Sequence, residues 1–187
     1  MSGFHIRPAS TASDDGLWFL QNYDTHLPWL ASIGSGAQFG ISPLSEDQDN
    51  RAMYRQMVGR SDKGWNAPFS RDWIRAYIAE VDIPKHEVPS ELLGRASTGP
   101  ADTVRLPVAG MVLRGRSKSY VRSILPEQDD SEPFVYLEYL LSDRRTNSLI
   151  KGAGTALIAH SQQEAKNLGV SRICSDCWQG NDQRLVR

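Results

Sequence analysis

Residues 149–155 read Leu-Ile-Lys-Gly-Ala-Gly-Thr. Gly152 and Gly154 would let backbone N–H groups approach an anion with no Cβ in the way, and a helix opening there would turn the favourable end of its dipole to negative charge. Arg144, Arg145 and Lys151 stand in the same stretch and can add point charges to a bound phosphate. The competing reading is a tight turn that only permits close helix–strand packing. Upstream, Glu138 is the only carboxylate within the apolar run 134–141. A charge in such a run costs free energy unless it has water or a partner, so Glu138 faces a cleft, open solvent or an arginine such as Arg144.

Other candidates carry less. Cys174 and Cys177 have the spacing of a redox or zinc pair, but no second Cys or His pair accompanies them, so no metal is expected. His5, His26, His86 and His160 are scattered with no ligand spacing. His26 and Trp29 lie in a His-Leu-Pro-Trp stretch, and Trp29 and Phe39 flank a glycine-rich loop, so these three residues are the candidates for a substrate wall.

The elements that must position these groups follow from local pattern. Residues 4–7 alternate as a short first strand stopped by Pro8, and Ser and Asp residues at 10–15 can cap a helix near 16–23. Pro28 breaks the next segment, and glycines at 34, 36 and 40 mark a loop. Residues 45–58 read as a helix with a stripe of Ala52 or Met53, Met57 and Val58. Strands are expected over 73–83 and over 106–113, the latter broken at Gly110. Residues 84–104 and 117–132 read as mobile surface insertions within a single domain spanning 1–187. The run 134–141 is a central strand covered on both faces. A polar turn, a helix over 155–168 with core face Leu157, Ile158, Ala165 and Leu168, a stop at Gly169, and a parallel strand over 170–174 complete the unit.

Composition excludes whole classes. Twenty-one Lys and Arg against 22 Asp and Glu give a net charge of −1, which argues against a chain that chiefly holds nucleic acid. No apolar run approaches the roughly 20 residues of a membrane span. The first eight residues lack a secretory signal, so the expected compartment is the reducing cytoplasm. Two phosphate motifs fail on spacing. Lys151 precedes the glycine instead of following it as a nucleoside-triphosphate loop requires, and Leu157 occupies the third glycine of a dinucleotide fingerprint.

The stretch 149–154 resembles the motif [QR]-x-x-G-x-[GA] of the GNAT family of acetyl-coenzyme A-dependent N-acetyltransferases, with both small positions matched and Leu149 in place of the leading Gln or Arg. Residues 4–8 resemble that family's opening strand, 134–141 its central strand, and 175–181 its post-helix strand and the Asn that begins its last helix. The resemblance runs from about residue 4 to the end and is strongest over 134–181. It implies an α/β fold with a mixed, twisted sheet flanked by helices, splayed where the central strand meets its parallel neighbour. It also implies acetyl-CoA as cosubstrate, a small-molecule amine as acceptor, and direct attack with Glu138 as base. The pyrophosphate would lie against Arg144, Arg145, Lys151, Gly152, Ala153, Gly154 and Thr155, with Lys151 or Arg145 compensating for Leu149. Backbone groups of Leu140, Leu141 and Ser142 would meet the pantetheine arm, as would Asn181. First-helix residues, the loop 29–40 and the insertion at 117–133 would select the acceptor. The family's Tyr seven residues after the Asn would fall at position 188, past Arg187. A C-terminally truncated domain is therefore expected, with a bare sheet edge at 170–174 inviting homo-oligomers. The alternative is a catalytically inactive acyl-CoA-binding or oligomerisation module.

Overall fold

A computed structural model of the chain describes residues 3–36, 40–125, 129 and 131–177. Strands β1 (His5–Pro8), β2 (Ile74–Pro84), β3 (Ser97–Thr98), β4 (Thr103–Arg114), β5 (Phe134–Ser142) and β6 (Arg172–Cys174) form one sheet. Its order is β1-β2-β4-β5-β6, with β3 added to β4. All pairings are antiparallel except β5 with β6. Helices α1 (Asp15–Asp24) and α3 (Gln48–Lys63) cover one face, and α4 (Ala153–Asn167) covers the other; α2 (Leu27–Ser32) follows α1.

Both faces are covered, so nearly all of β2 and the run from Leu106 to Leu113 of β4 are buried, Arg75 and Glu80 included. Tyr77, Ala79, Met111, Leu113 and Val135 pack with Leu157 and Ala165 of α4. Ile74, Ala76, Ile78, Val112 and Tyr139 pack with Trp18, Phe19 and Val58 from α1 and α3. Arg7 ties three elements together by reaching both Asp15 (2.6 Å) and Glu80 (2.7 Å), so these two buried carboxylates are structural.

Several sequence expectations need correction. β4 is not broken at Gly110. A Cβ there would lie 2.5 Å from the Phe19 ring, so the glycine serves to let α1 rest on the sheet. Pro28 does not end a helix but sits in the first turn of α2, where its missing N–H is harmless. Pro8 is the last residue of β1, as expected of a stop, and still pairs with Tyr77 of β2 on the edge strand, a position proline tolerates. On α4 the buried stripe is Ala153, Leu157, Ser161 and Ala165, and Ile158 faces outward. On α3 only Val58 and Ser61 are buried, while Met53 is exposed. Residues 84–104 contain two 3-10 segments, Lys85–Glu87 and Ser90–Arg95, and send Val88 and Leu92 into the core.

Candidate active site

The site is organised along β5. From Phe134 to Tyr136 this strand pairs with β6, which then ends at Cys174. From Leu137 to Ser142 its β6-facing edge has no strand partner among the described residues, while β4 continues to pair on the other side. Pairing between these two parallel strands thus stops at Tyr136 and Cys174 among the described residues. The β5 backbone groups at Leu140, Leu141 and Ser142 lie beyond that point, beside the chain's route into α4.

Past Ser142 the chain turns on Asp143. This fully buried carboxylate accepts from the backbone N of Arg145 (3.0 Å) and from both ends of its guanidinium (2.9 and 2.6 Å). Arg145 is therefore committed to the turn. Arg144 is exposed and lies 4.5 Å above the Trp29 ring. Gly152 caps α4 at φ 90°, a left-handed conformation that a side chain would strain. A Cβ at Gly154 would meet none of the described residues within 4 Å, and the first turn of α4 holds no acidic residue. Lys151 and Thr155 are exposed beside it. Lys151 borders the mouth of α4, where backbone amides and the helix dipole favour an anion. Leu149, in the position where the motif carries a polar residue, packs toward the core.

His26 and Trp29 sit at the C-terminal end of β5. His26 Nε2 lies 2.7 Å from the Ser142 carbonyl and donates to it, and its ring stands edge-on to Trp29. Asn22 donates to the neighbouring Leu141 carbonyl at 3.3 Å. Burial lowers the His26 pKa, and Arg144 adds in the same direction, while the Ser142 carbonyl and Asp143 oppose it. At neutral pH the ring is uncharged with its proton on Nε2. Phe39 and Asn181 lie outside the described residues.

Glu138 stands in a different setting. β4 and β5 slip register where Val112 faces Tyr139 and Leu113 faces Leu137, leaving Glu138 as the extra residue of a bulge. A bulge re-aims its side chain, and here the carboxylate turns to Arg114 and Lys118. Its partners are these two residues of the β4 end, not Arg144. It borders a cavity of about 410 Å³ roofed by Tyr23, Tyr54, Met53 and Met57 from α1 and α3, with Tyr120 and Tyr139 completing the wall. Burial first, then the charges of Glu138 and Asp24, push the Tyr54 phenol up to about 12, so it remains a neutral hydrogen-bond donor. Burial likewise raises Tyr23 and Tyr120. Tyr139 spends its hydroxyl on the Phe19 carbonyl at 2.9 Å.

These aromatic and cationic walls escaped the sequence reading. The available signal was the trio Met53, Tyr54 and Met57, whose apolar positions lie beside α3's buried stripe and need something to cover. A larger cavity, about 950 Å³, lies between α3 and the start of β2; it shares Gln56 and Arg60 with the Glu138 cavity but none of the sequence-predicted site residues. Among the described residues no group of three or more His, Cys, Asp or Glu is placed to hold a metal, and no helix is long and apolar enough to cross a membrane.

No family model and no curated protein matches the chain. Solved structures do. A mutant of the BH1408 protein from Bacillus halodurans aligns with 97% of this chain and 87% of its own at 14% identity, with a TM-score of 0.52. A predicted acetyltransferase from Clostridium acetobutylicum, solved with acetyl-CoA, aligns with 98% of this chain and 86% of its own at 12% identity and a TM-score of 0.49. The aminoglycoside 6'-N-acetyltransferase AAC(6')-Ih from Acinetobacter baumannii aligns with 96% of this chain and 83% of its own at 14% identity and a TM-score of 0.45. At such identities the likeness is one of fold. The expected fold class is met: the chain has a mixed α/β sheet flanked by helices, and the BH1408 alignment extends over nearly its whole length.

Proposed function

We propose that the chain is an acetyl-CoA-dependent N-acetyltransferase acting on the primary amine of a small molecule in the cytoplasm. The observation that carries this reading is the edge of β5 beyond Tyr136, which has no strand partner among the described residues, leads at one end toward the glycine mouth of α4 and borders the Glu138 cavity at the other. Acetyl-CoA, when bound, supplies a thioester carbonyl for the amine to attack.

The amides of Gly152, Ala153, Gly154 and Thr155 hold the diphosphate, with Lys151 and Arg144 adding charge; the neutral amides and helix dipole carry most of the attraction. Edge groups of Leu140, Leu141 and Ser142 receive the amide-bearing arm; Asn181, assigned to that arm by the resemblance, lies outside the described residues. Asn22 and His26 hold the Leu141 and Ser142 carbonyls, keeping the strand end in place. Glu138 takes the proton that the amine must lose, and Lys118 and Arg114 fix its carboxylate beforehand. The tyrosine and methionine wall excludes water and receives the rest of the acceptor. Trp29 borders the same strand end with His26; Phe39 stays a candidate for the acceptor wall. Both cysteines are free thiols, in keeping with a reducing compartment. Self-association by strand addition at β6 belongs to this reading too, with light scattering as its test.

Leu149 favours a second reading, an inactive acyl-CoA-binding module, because an apolar residue packed inward cannot assist the diphosphate. Calorimetry with acetyl-CoA followed by thiol release against a panel of amines separates the two. Turnover with any amine supports the enzyme, binding without turnover supports the module, and failure to bind acetyl-CoA overturns both.

A further inference from the structure

The acceptor cavity continues into a strongly basic recess of about 230 Å³. Arg60, Arg114 and Lys118 line both spaces. Arg71, Arg116 and Arg122 line the recess alone; Asp72 is the one carboxylate in its lining, and Glu138 meets Arg114 and Lys118 from the neighbouring cavity.

The fold builds this recess deliberately from two chain segments. Gly115 follows β4, and a Cβ on it would sit 1.8 Å from the Ser70 carbonyl oxygen, so only glycine lets the two backbones touch. The contact is sealed by the Gly115 N–H donating to the Trp73 carbonyl at 2.8 Å. Residues 70–73 and 114–122 are thereby laid side by side, with α3 contributing Arg60, which reaches the Asp72 carbonyl at 3.2 Å. Asp72 answers Arg116 at 3.2 Å, and Glu138 answers Arg114 and Lys118. Arg122 is exposed with no carboxylate partner among the described residues. Gathering like charges in one concave space is unfavourable in the absence of an anion, because low-dielectric walls focus the field.

The recess is separate from the helix mouth. It lies at the level of Arg114, which pairs with Tyr136, whereas α4 is reached after Ser142. Six residues of extended strand span about 20 Å. Two attractors for anions thus stand at opposite ends of β5, with Glu138 between them. The diphosphate needs only the first.

We propose that the acceptor is an amine that carries an anionic group, a carboxylate or a phosphate, which the arginine recess holds while the amino group lies at Glu138. This rests on the acetyltransferase reading and sharpens its substrate class. Neutral monoamines fill the cavity without engaging the recess, and polycationic amines are repelled by it. Arginine forks suit the planar or tetrahedral oxygens of either anion.

Matched amines test this with the full chain and saturating acetyl-CoA: O-phosphoethanolamine against ethanolamine, and β-alanine against propylamine, followed by thiol release. The expected result is a preference of about tenfold or more in kcat/KM for the anionic member of at least one pair, and the pair that shows it identifies the anion. The preference falls toward one in the double variant Arg116→Gln, Arg122→Gln, whose exposed side chains carry no part of the core. Equal efficiency within both pairs, or a preference untouched by the double variant, overturns the proposal. Calorimetric titration of O-phosphoethanolamine and ethanolamine without acetyl-CoA gives a readout independent of turnover. If acetyl-CoA fails to bind, the enzyme reading falls, while selective binding of the phosphorylated amine still decides for the recess and its absence against it.

Discussion

At its C-terminal end β5 runs into the Asp143 turn and the mouth of α4; at its middle it bulges out at Glu138 beneath α1 and α3. The first region offers main-chain amides with few formed side-chain contacts: none of the described residues fills the space beside Gly154, and Arg145 is already bound to Asp143. The second is made of side chains, with one carboxylate clasped by two cations and walled by phenols. The difference matches the two partners proposed. A cosubstrate diphosphate is the same in every reaction and can be held by amides, whereas an acceptor must be told from other amines and needs side chains that vary.

The largest expected effect lies in the side-chain region. Glu138→Gln preserves shape and hydrogen-bonding capacity but cannot accept a proton, so turnover should fall about 10²–10⁴-fold with acetyl-CoA affinity unchanged. Steady-state rates with a calorimetric control check this, and full activity would remove Glu138 from its role. In the main-chain region Gly154→Glu places a carboxylate at the mouth of α4. It should weaken acetyl-CoA by about tenfold or more through repulsion of the diphosphate. The helix itself tolerates an acid in its first turn, so the melting temperature should hold or rise. A parallel loss of affinity and of melting temperature would mean that the variant damages the fold instead.

Between the two regions, Arg145→Ala strands the buried Asp143 carboxylate and should cost about 1–3 kcal/mol of stability, measured by urea denaturation. Arg144→Ala, by contrast, should cost about 0.5–1 kcal/mol, since its contact with Trp29 is a single exposed cation–π pair. The smallest effect is in pH dependence. His26 has a folded pKa below its unfolded value of about 6.5. The unfolded chain therefore binds its proton first. The stability held by neutral His26 is complete above about pH 6.5 and declines as pH falls toward the folded value. His160 is lowered by burial as well and contributes in the same direction. Urea midpoints between pH 5 and 8 should thus fall toward acid in the wild type and fall less in His26→Gln.

How much of this was legible in the sequence differs between the same two regions. The mouth of α4 is a local feature, so the spacing of Gly152 and Gly154 and the stop at Gly169 (φ 72°) located it within two residues. β5 announced itself as a long apolar run because both faces of the sheet are covered, whereas β2, with Arg75, Glu80 and Asp82 among its apolar residues, alternates imperfectly. The Glu138 cavity was not legible, because it joins Tyr23, Tyr54, Arg114, Lys118 and Glu138 from four segments brought together only by strand register and a bulge. Proline and glycine misled where tertiary packing reassigned them: Pro28 opens α2, and Gly110 admits an aromatic ring. Arg145 looked like a phosphate ligand by position, yet a buried carboxylate two residues away outbids a solvated anion for its fork.

The central claim, that the amides opening α4 hold the diphosphate of the cosubstrate, is tested most directly by comparing coenzyme A with pantetheine, which keeps the thiol arm and lacks the diphosphate. Calorimetry on the wild type and on Gly154→Glu gives four affinities. The account predicts that coenzyme A binds the wild type at least about 100-fold more tightly than pantetheine, and that Gly154→Glu shrinks this gap by about tenfold while pantetheine binding stays the same. Equal affinity of the two ligands for the wild type, or a gap that Gly154→Glu leaves intact, would contradict it.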